Sequence, residues 1–512
     1  MEHLFEKLFH YGEGTIYPYH MPGHKRQGWG ELPESLYKKD ITEIEGFDNL
    51  YQPEGILLEL QREAARIYGA EESYYLVNGS TGGILSAVSC ALPFGGRILM
   101  ARNCHKSAYH AAYLRHLKMN FLYPRELEEY DTADAITPRQ VQEALEKKPD
   151  TEAVLIVSPT YEGRIADVSA IAGIVHERGI PLIVDEAHGA HLGLAEGFAK
   201  NSCQAGADLV IHSVHKTLPA LTQSALLHVN GSLIDRNRLR RYLHIYQTSS
   251  PSYLLMASID NALQYAEAYQ EAFARFRICF AKMTDELTRC RYLKVLKGKQ
   301  EEQDVGKLLI SVKGTGLTGK SLYNILLSEY GLQVEMAAVS FILAMFTVND
   351  SPEAYERMTR ALLEIDRKLA EEKWKKAACR EKAVCRKQTK AGRVPDHIDR
   401  SIDSVPLFQA WDREAEEILL WESAGRHVAE FVNLYPPGVP LLIPGERITE
   451  TLCHDIQRAV EEGLNVQGIH VRKDGKESTQ KILLRVLKQE GGKESESSTE
   501  RETCINIGKG EA

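Results

Sequence analysis

Short apolar runs that turn polar at their C-terminal ends punctuate the first half of the chain. They are "SYYLVNG" from Ser73, "EAVLIVSPTY" from Glu152, "PLIVDEAH" from Pro181 and "ADLVIHSVHK" from Ala207. Segments of helical length separate them, which predicts a parallel or mostly parallel sheet covered by helices. Each run is apolar on both faces, as a strand buried on both sides requires. Their polar ends share the edge at which open α/β sheets bind ligands. From Gln247 to Leu296 the pattern is helical. "GKLLISVKG" from Gly306 and "SLYNILLSEYGL" from Ser321 then read as strand, turn and helix of a smaller α/β unit. Farther on, "EAEEILLWESAGRHVAEFV" from Glu414 reads as helix and "YPPGVPLLIPGE" from Tyr435 as turn-rich, together a C-terminal α+β piece.

These shifts divide the chain into an N-terminal arm (1–50), a large domain (51–296), the smaller α/β unit (297–370), a basic linker (371–395), a C-terminal domain (396–488) and a tail (489–512). The tail is rich in Glu, Ser, Lys and Gly and predicts disorder. A length of 512 residues exceeds a single core, and 43% hydrophobic with 26% charged residues describes a soluble globular protein. The N-terminus has no secretory pattern and no apolar run is long enough for a bilayer, so the expected location is cytoplasmic. Nine cysteines without a C-x-x-C pair predict free thiols. A net charge of −9 disfavours nucleic acid and anionic membranes as partners, and the Lys/Arg-rich linker reads as a solvated segment.

Two stretches invite other readings. "GTGLTGKS", Gly314 to Ser321, matches the phosphate-loop pattern of ATPases, and "LIVDEAHGAH", Leu182 to His191, resembles a helicase acidic box. Helicases place the loop ahead of the box on one core; here the box comes first by over a hundred residues and the loop falls in the second unit. His188 and His191 have a spacing that ligates metals, but no third and fourth ligand is legible, and no metal is expected.

The strand ends make better sense as one site. Gly79-Ser80-Thr81, between a strand and a helix, offers backbone N–H groups and hydroxyls to a phosphate. Lys216 lies just beyond a buried strand with Ser213 and His215 beside it, and Asp185 ends another about thirty residues earlier. His105, in "NCHKS" after the apolar "GRILMA", adds a flat ring. Pyridoxal phosphate needs these groups: an amine for its aldehyde, an anion cup, a carboxylate at its ring nitrogen and a ring to stack on it.

With these residues in place, the chain resembles the ornithine/lysine/arginine decarboxylase family of fold type I pyridoxal-phosphate enzymes. The resemblance runs to about residue 450 through "MPGHKRQG", "DITEIEGFDNLYQPEG", "LVNGSTGG", "RNCHKSAYHA", "SPTYEG", "VDEAHGAH", "SVHKTLPALTQSA", "TSSPSY" and "SAGRHVAEFVNLYPPGVPLLIPGE". It implies that the large domain binds the cofactor and that Lys216 holds its aldehyde. Asp185 then pairs with the pyridine nitrogen and His105 stacks on the ring. Gly79, Ser80, Thr81, Ser213 and His215 surround the phosphate, with His188 on the O3′ side. It implies decarboxylation of arginine, lysine or ornithine to the corresponding amine, in a homodimer or larger assembly with interfacial sites, where "TSSPSY" reaches the partner's phosphate. The family's long members carry a receiver-like domain ahead of "MPGHK", so their decamers and acid-stress role are not implied. Glu43, Glu45 and Asp48 are the carboxylates offered to a basic substrate. An aminotransferase of the same cofactor class is the alternative; a phosphate-loop ATPase or a non-enzymatic regulator on this fold are alternatives of other classes.

Overall fold

The computed structural model describes residues 2–28, 30–299, 301–371, 404–436, 438–473 and 480–489. All but the first residue of the basic linker, and the tail beyond Gln489, lie outside them. Seven strands form the central sheet: β1 (Glu72–Leu76), β2 (Arg97–Ala101), β3 (Lys118–Leu122), β4 (Ala153–Val157), β5 (Leu182–Asp185), β6 (Leu209–His212) and β7 (Ala225–Val229). Their order is β1-β7-β6-β5-β4-β2-β3. Six run parallel, and β7 alone runs against both its neighbours. Every residue of β5, β6 and β7 is buried, which explains their predominantly apolar character. Because β7 returns directly beside β6, the twelve residues between His212 and Ala225 stay at the ligand edge. That connection carries Lys216 on a single helical turn, Val214–Thr217.

The helical stretch forms Tyr253–Ala268 and Gln270–Leu287. A second, antiparallel sheet follows in the order Lys294–Val295, Lys307–Ser311, Phe341–Met345, Met336–Ala337. Helices Gly319–Tyr330 and Pro352–Ala370 belong to this unit, and its apolar residues are continuous with the core of the large domain. The C-terminal unit has a core of its own around Leu420, Val432, Leu452, Ile456 and Leu484.

One expected element is replaced. The run from Glu414 to Val432 is not helical: Ala415–Leu419 is a strand paired with Gln480–Leu487, Leu420–Glu422 is a 3-10 turn, and another strand begins at Val432. Glu and Leu favour a helix locally, but Ile418 and Leu419 gain cross-strand partners in Leu484 and Leu483.

Candidate active site

The turn that carries Lys216 brings it against the segment following β5. Lys216 Nζ lies 3.0 Å from His188 Nε2, and the other ring nitrogen, Nδ1, lies 2.7 Å from Lys307 Nζ. Burial, reinforced by both lysines, holds the His188 imidazole well below its ordinary pKa, so it is neutral. Tyr161 packs edge-on against it with ring centroids 4.8 Å apart. Burial also lowers the pKa of Lys216, while Asp185 and Glu335 oppose that shift.

Asp185, 5% exposed at the end of β5, accepts one hydrogen bond, from Ala187 N–H at 3.2 Å. Desolvation raises its pKa and the charge of Lys216 pulls it back. His105 caps the helix Lys106–Leu114; its Nδ1 accepts from Ser107 N–H at 3.2 Å. With that nitrogen engaged, the ring is fixed in place, and burial followed by the charge of Lys216 lowers its pKa to about 4. The C-terminal unit backs it: Lys106 N–H donates to Gly438 O, and a Cβ on Gly438, already at φ 79°, would sit 3.3 Å from the imidazole.

The residues expected around the phosphate are joined to the lysine turn through two adjacent carbonyls. Gly79 N–H donates to Gln223 O at 3.0 Å, and His215 Nδ1–H donates to Ser224 O at 2.8 Å. Ser80 and Thr81 follow in the first turn of the helix Gly79–Ala91. Ser213 is fully buried and its hydroxyl has no partner among the described residues. His215, with Nδ1–H committed, donates from Nε2 only when protonated, a form that burial disfavours.

Tested against pyridoxal phosphate, this set fits: an amine of lowered basicity, a buried carboxylate with one weak partner, a fixed neutral ring, and an unpaired buried hydroxyl next to a helix start. An unpaired buried hydroxyl is costly unless something supplies its missing bond. Lys307, Tyr161 and Glu335 were not singled out by the sequence. Their only signals were the Lys in "GKLLIS" and the Tyr in "SPTYEG".

The other expected groups serve elsewhere. Asp48 accepts from the backbone N–H groups of Asn49, Glu54, Gly55 and Leu57 and is spent on the entry to the helix that begins at Ile56. His191 pairs with Asp304 at 2.7 Å. Among the described residues no group of three or more His, Cys, Asp or Glu is placed to hold a metal. In Gly314 to Ser321, the N–H of Gly319 donates to Val339 O, that of Thr315 to Val312 O, and those of Leu317 and Ser321 to threonine hydroxyls. A Cβ on Gly319 would lie 2.2 Å from Phe341 O, and Lys320 rests 4.5 Å above the Tyr323 ring. Gly319 permits packing against the sheet, and four of the N–H groups of this stretch are already engaged within the chain.

A cavity of about 120 Å³ adjoins the cluster, with Asn103 and Tyr161 on its wall beside Glu126, Asp131, Glu162 and Arg125. Tyr161 O–H donates to Glu335. Among the described residues no helix is long and apolar enough to cross a membrane.

Comparison with known proteins agrees with this architecture. Residues 2–298 match the Orn/Lys/Arg decarboxylase major domain and residues 406–481 the C-terminal domain of the same family. The chain is 33% identical over 491 residues to the arginine decarboxylase of Bacillus subtilis (strain 168), covering 92% of this chain and 95% of that one. It is 26% identical over 493 residues to the constitutive lysine decarboxylase of Escherichia coli (strain K12), covering 80% and 68%. The crystal structure of the Francisella novicida lysine decarboxylase shares the fold, with a TM-score of 0.79 at 17% identity over 95% of this chain and 81% of that one. The cofactor-fitting cluster and both domain matches thus lie in one polypeptide, which belongs to the ornithine/lysine/arginine decarboxylase family.

Proposed function

We propose that this chain is a pyridoxal-phosphate-dependent decarboxylase of basic amino acids, with arginine the preferred substrate. The observation that carries the reading is the convergence of Lys216, Asp185 and His105 beside a cavity whose wall bears Glu126 and Glu162. Carboxylates there suit a distal guanidinium or ammonium. Two relatives named arginine decarboxylase, at 33% and 31% identity over 92% and 91% of this chain, support the choice of arginine.

When bound, pyridoxal phosphate supplies an electron sink for the pair left as the bond between the α-carbon and its carboxylate breaks. Lys216 would provide the amine that holds the aldehyde. Asp185 would keep a proton on the ring nitrogen. His105, neutral and fixed, would cover the ring and exclude water. Ser80, Thr81, Ser213 and the Gly79 turn would hold the phosphate, with His188 on the O3′ side. An aminotransferase needs a cation gripping the α-carboxylate; the buried arginines near this site, Arg102 and Arg164, are engaged by Glu446 and Asp134, and Arg125 is exposed. The assembly we propose is a cytoplasmic homodimer. Exposed Ile16, Tyr17, Tyr19 and Met21 of the N-terminal arm support a partner surface, and "TSSPSY" is assigned to the partner's phosphate.

The test is the visible spectrum of the purified protein before and after borohydride, then with arginine, lysine and ornithine separately, with released CO₂ measured. A yellow band lost on reduction, with CO₂ from arginine, is expected. A protein that takes up no pyridoxal phosphate, or that yields a keto acid, overturns the reading. Lys216→Ala is expected to abolish both the band and turnover.

A further inference from the structure

His188 stands between two lysines, and the hydrogen-bond count of this triad is restrictive. A lysine ammonium has donors and no acceptor, and a neutral imidazole has one N–H and one lone pair. Both ring nitrogens are within hydrogen-bond distance of an Nζ, at 3.0 Å for Lys216 and 2.7 Å for Lys307. The nitrogen that bears the proton can only donate, so the lysine facing it is an uncharged amine. Were the ring protonated, both lysines would have to be uncharged. In every protonation state that keeps both bonds, at least one lysine is a free base.

The surroundings decide which one. Lys307 is 3% exposed and faces Asp304, Glu162 and Glu335, with its Nζ 5.4 Å from the Tyr161 ring centroid. Burial lowers its pKa to about 8 against the pull of three carboxyls and an aromatic face, and its 2.7 Å contact with His188 is shorter than the 3.0 Å contact of Lys216, as the charge-assisted bond of an ammonium is. Lys216 faces Asp185 and Glu335, with the His105 ring alongside. Asp185 is the group the cofactor's ring nitrogen would claim.

We propose that Lys307 is a positioning residue: its ammonium donates to His188 Nδ1, fixes the ring proton on Nε2, and so holds Lys216 as the free amine needed to capture the cofactor's aldehyde. The inference rests on the cofactor reading above for its purpose. Its geometry involves only this chain. Lys307 comes from the strand Lys307–Ser311, so the second unit reaches into the site and sets the proton inventory of the large domain.

Two measurements test it on the full-length protein. The first is the pH dependence of the rate at which cofactor-stripped protein captures pyridoxal phosphate, followed by its visible absorbance. With Lys307→Met the half-maximal pH is expected to rise by about one unit or more, because Lys216 regains an acceptor in Nε2 and loses a neighbouring cation. Lys307→Arg, which keeps the charge and the donor, is expected to stay near wild type. An unchanged midpoint in Lys307→Met overturns the proposal. The second uses the wild-type protein labelled with ¹⁵N-histidine, comparing ring-nitrogen shifts with those of His188→Gln to assign His188. A proton on Nε2 is expected, and a proton on Nδ1 overturns the proposal whatever the variants do. Failure of every form to capture pyridoxal phosphate would sink the cofactor reading instead, and the tautomer would still decide this one.

Discussion

The guanidinium of Arg102 and the carboxylate of Glu446 meet at 3.0 Å with side chains 0% and 3% exposed, joining the end of β2 to the C-terminal unit. Arg102 also donates to the carbonyls of Pro440 and Leu441. Three residues later the chain reaches His105, which the same unit backs through Gly438. Removing one partner leaves the other charge buried, so Glu446→Gln is expected to cost about 3 to 5 kcal/mol in denaturant unfolding. The double change Arg102→Met with Glu446→Leu is expected to cost clearly less. Equal losses would mean that the pair does not act as a pair.

Asp185 is buried with a single weak hydrogen bond, an arrangement stable as a carboxylate only when a cation faces it. Asp185→Asn keeps the shape and a hydrogen-bonding group but removes the charge proposed to keep a proton on the cofactor's ring nitrogen. It is expected to capture pyridoxal phosphate normally and to lower kcat by about 10²- to 10³-fold, with KM little changed. Steady-state kinetics alongside a cofactor titration checks this; an unaffected kcat removes the role.

Ser213 makes opposite predictions for stability and binding. Its buried hydroxyl has no partner among the described residues, so Ser213→Ala is expected to leave the cofactor-stripped protein at least as stable. If the hydroxyl donates to the phosphate, the same change weakens pyridoxal phosphate binding about tenfold. Thermal unfolding without cofactor and fluorescence titration with it separate the two effects.

What was legible in the sequence followed from burial. Asp185, His188, Ser213 and Lys216 stand directly after runs so apolar that only a buried strand accounts for them, and a polar residue there has little choice but the ligand edge. Lys307 was illegible for the converse reason. It opens a strand of a different sheet, ninety-one residues beyond Lys216, where a lone lysine before an apolar run reads as surface. Asp48 misled because a carboxylate in a polar loop looks available until the backbone claims it. The strand at Ala415–Leu419 was lost because its partner, Gln480–Leu487, lies more than sixty residues away and local propensity does not register it.

A buried chain of hydrogen bonds beside the site gives the last prediction. Glu186, adjacent to Asp185, lies 2.7 Å from His212 Nε2; His212 Nδ1 is 3.0 Å from His228 Nε2, and His228 Nδ1 is 2.6 Å from Ser73 Oγ. Burial raises the Glu186 carboxyl to about 8 and lowers His212 to about 3. Wherever the proton sits, the folded pair keeps one between its carboxylate and imidazole up to about pH 8. In the unfolded chain the pair also holds one proton from about pH 4.5 to 6.5, on the histidine, and releases it above 6.5. The folded state therefore binds the extra proton only from about pH 6.5 to 8, and stability contributed by this pair falls as pH rises through that window. Glu186→Gln keeps a donor toward His212 and an acceptor for Ser202 but has no proton to lose, so the decline between pH 6.5 and 8 is expected to flatten. Denaturant midpoints measured at half-unit steps across that window check it, and a slope as steep as wild type would place the titration on another group.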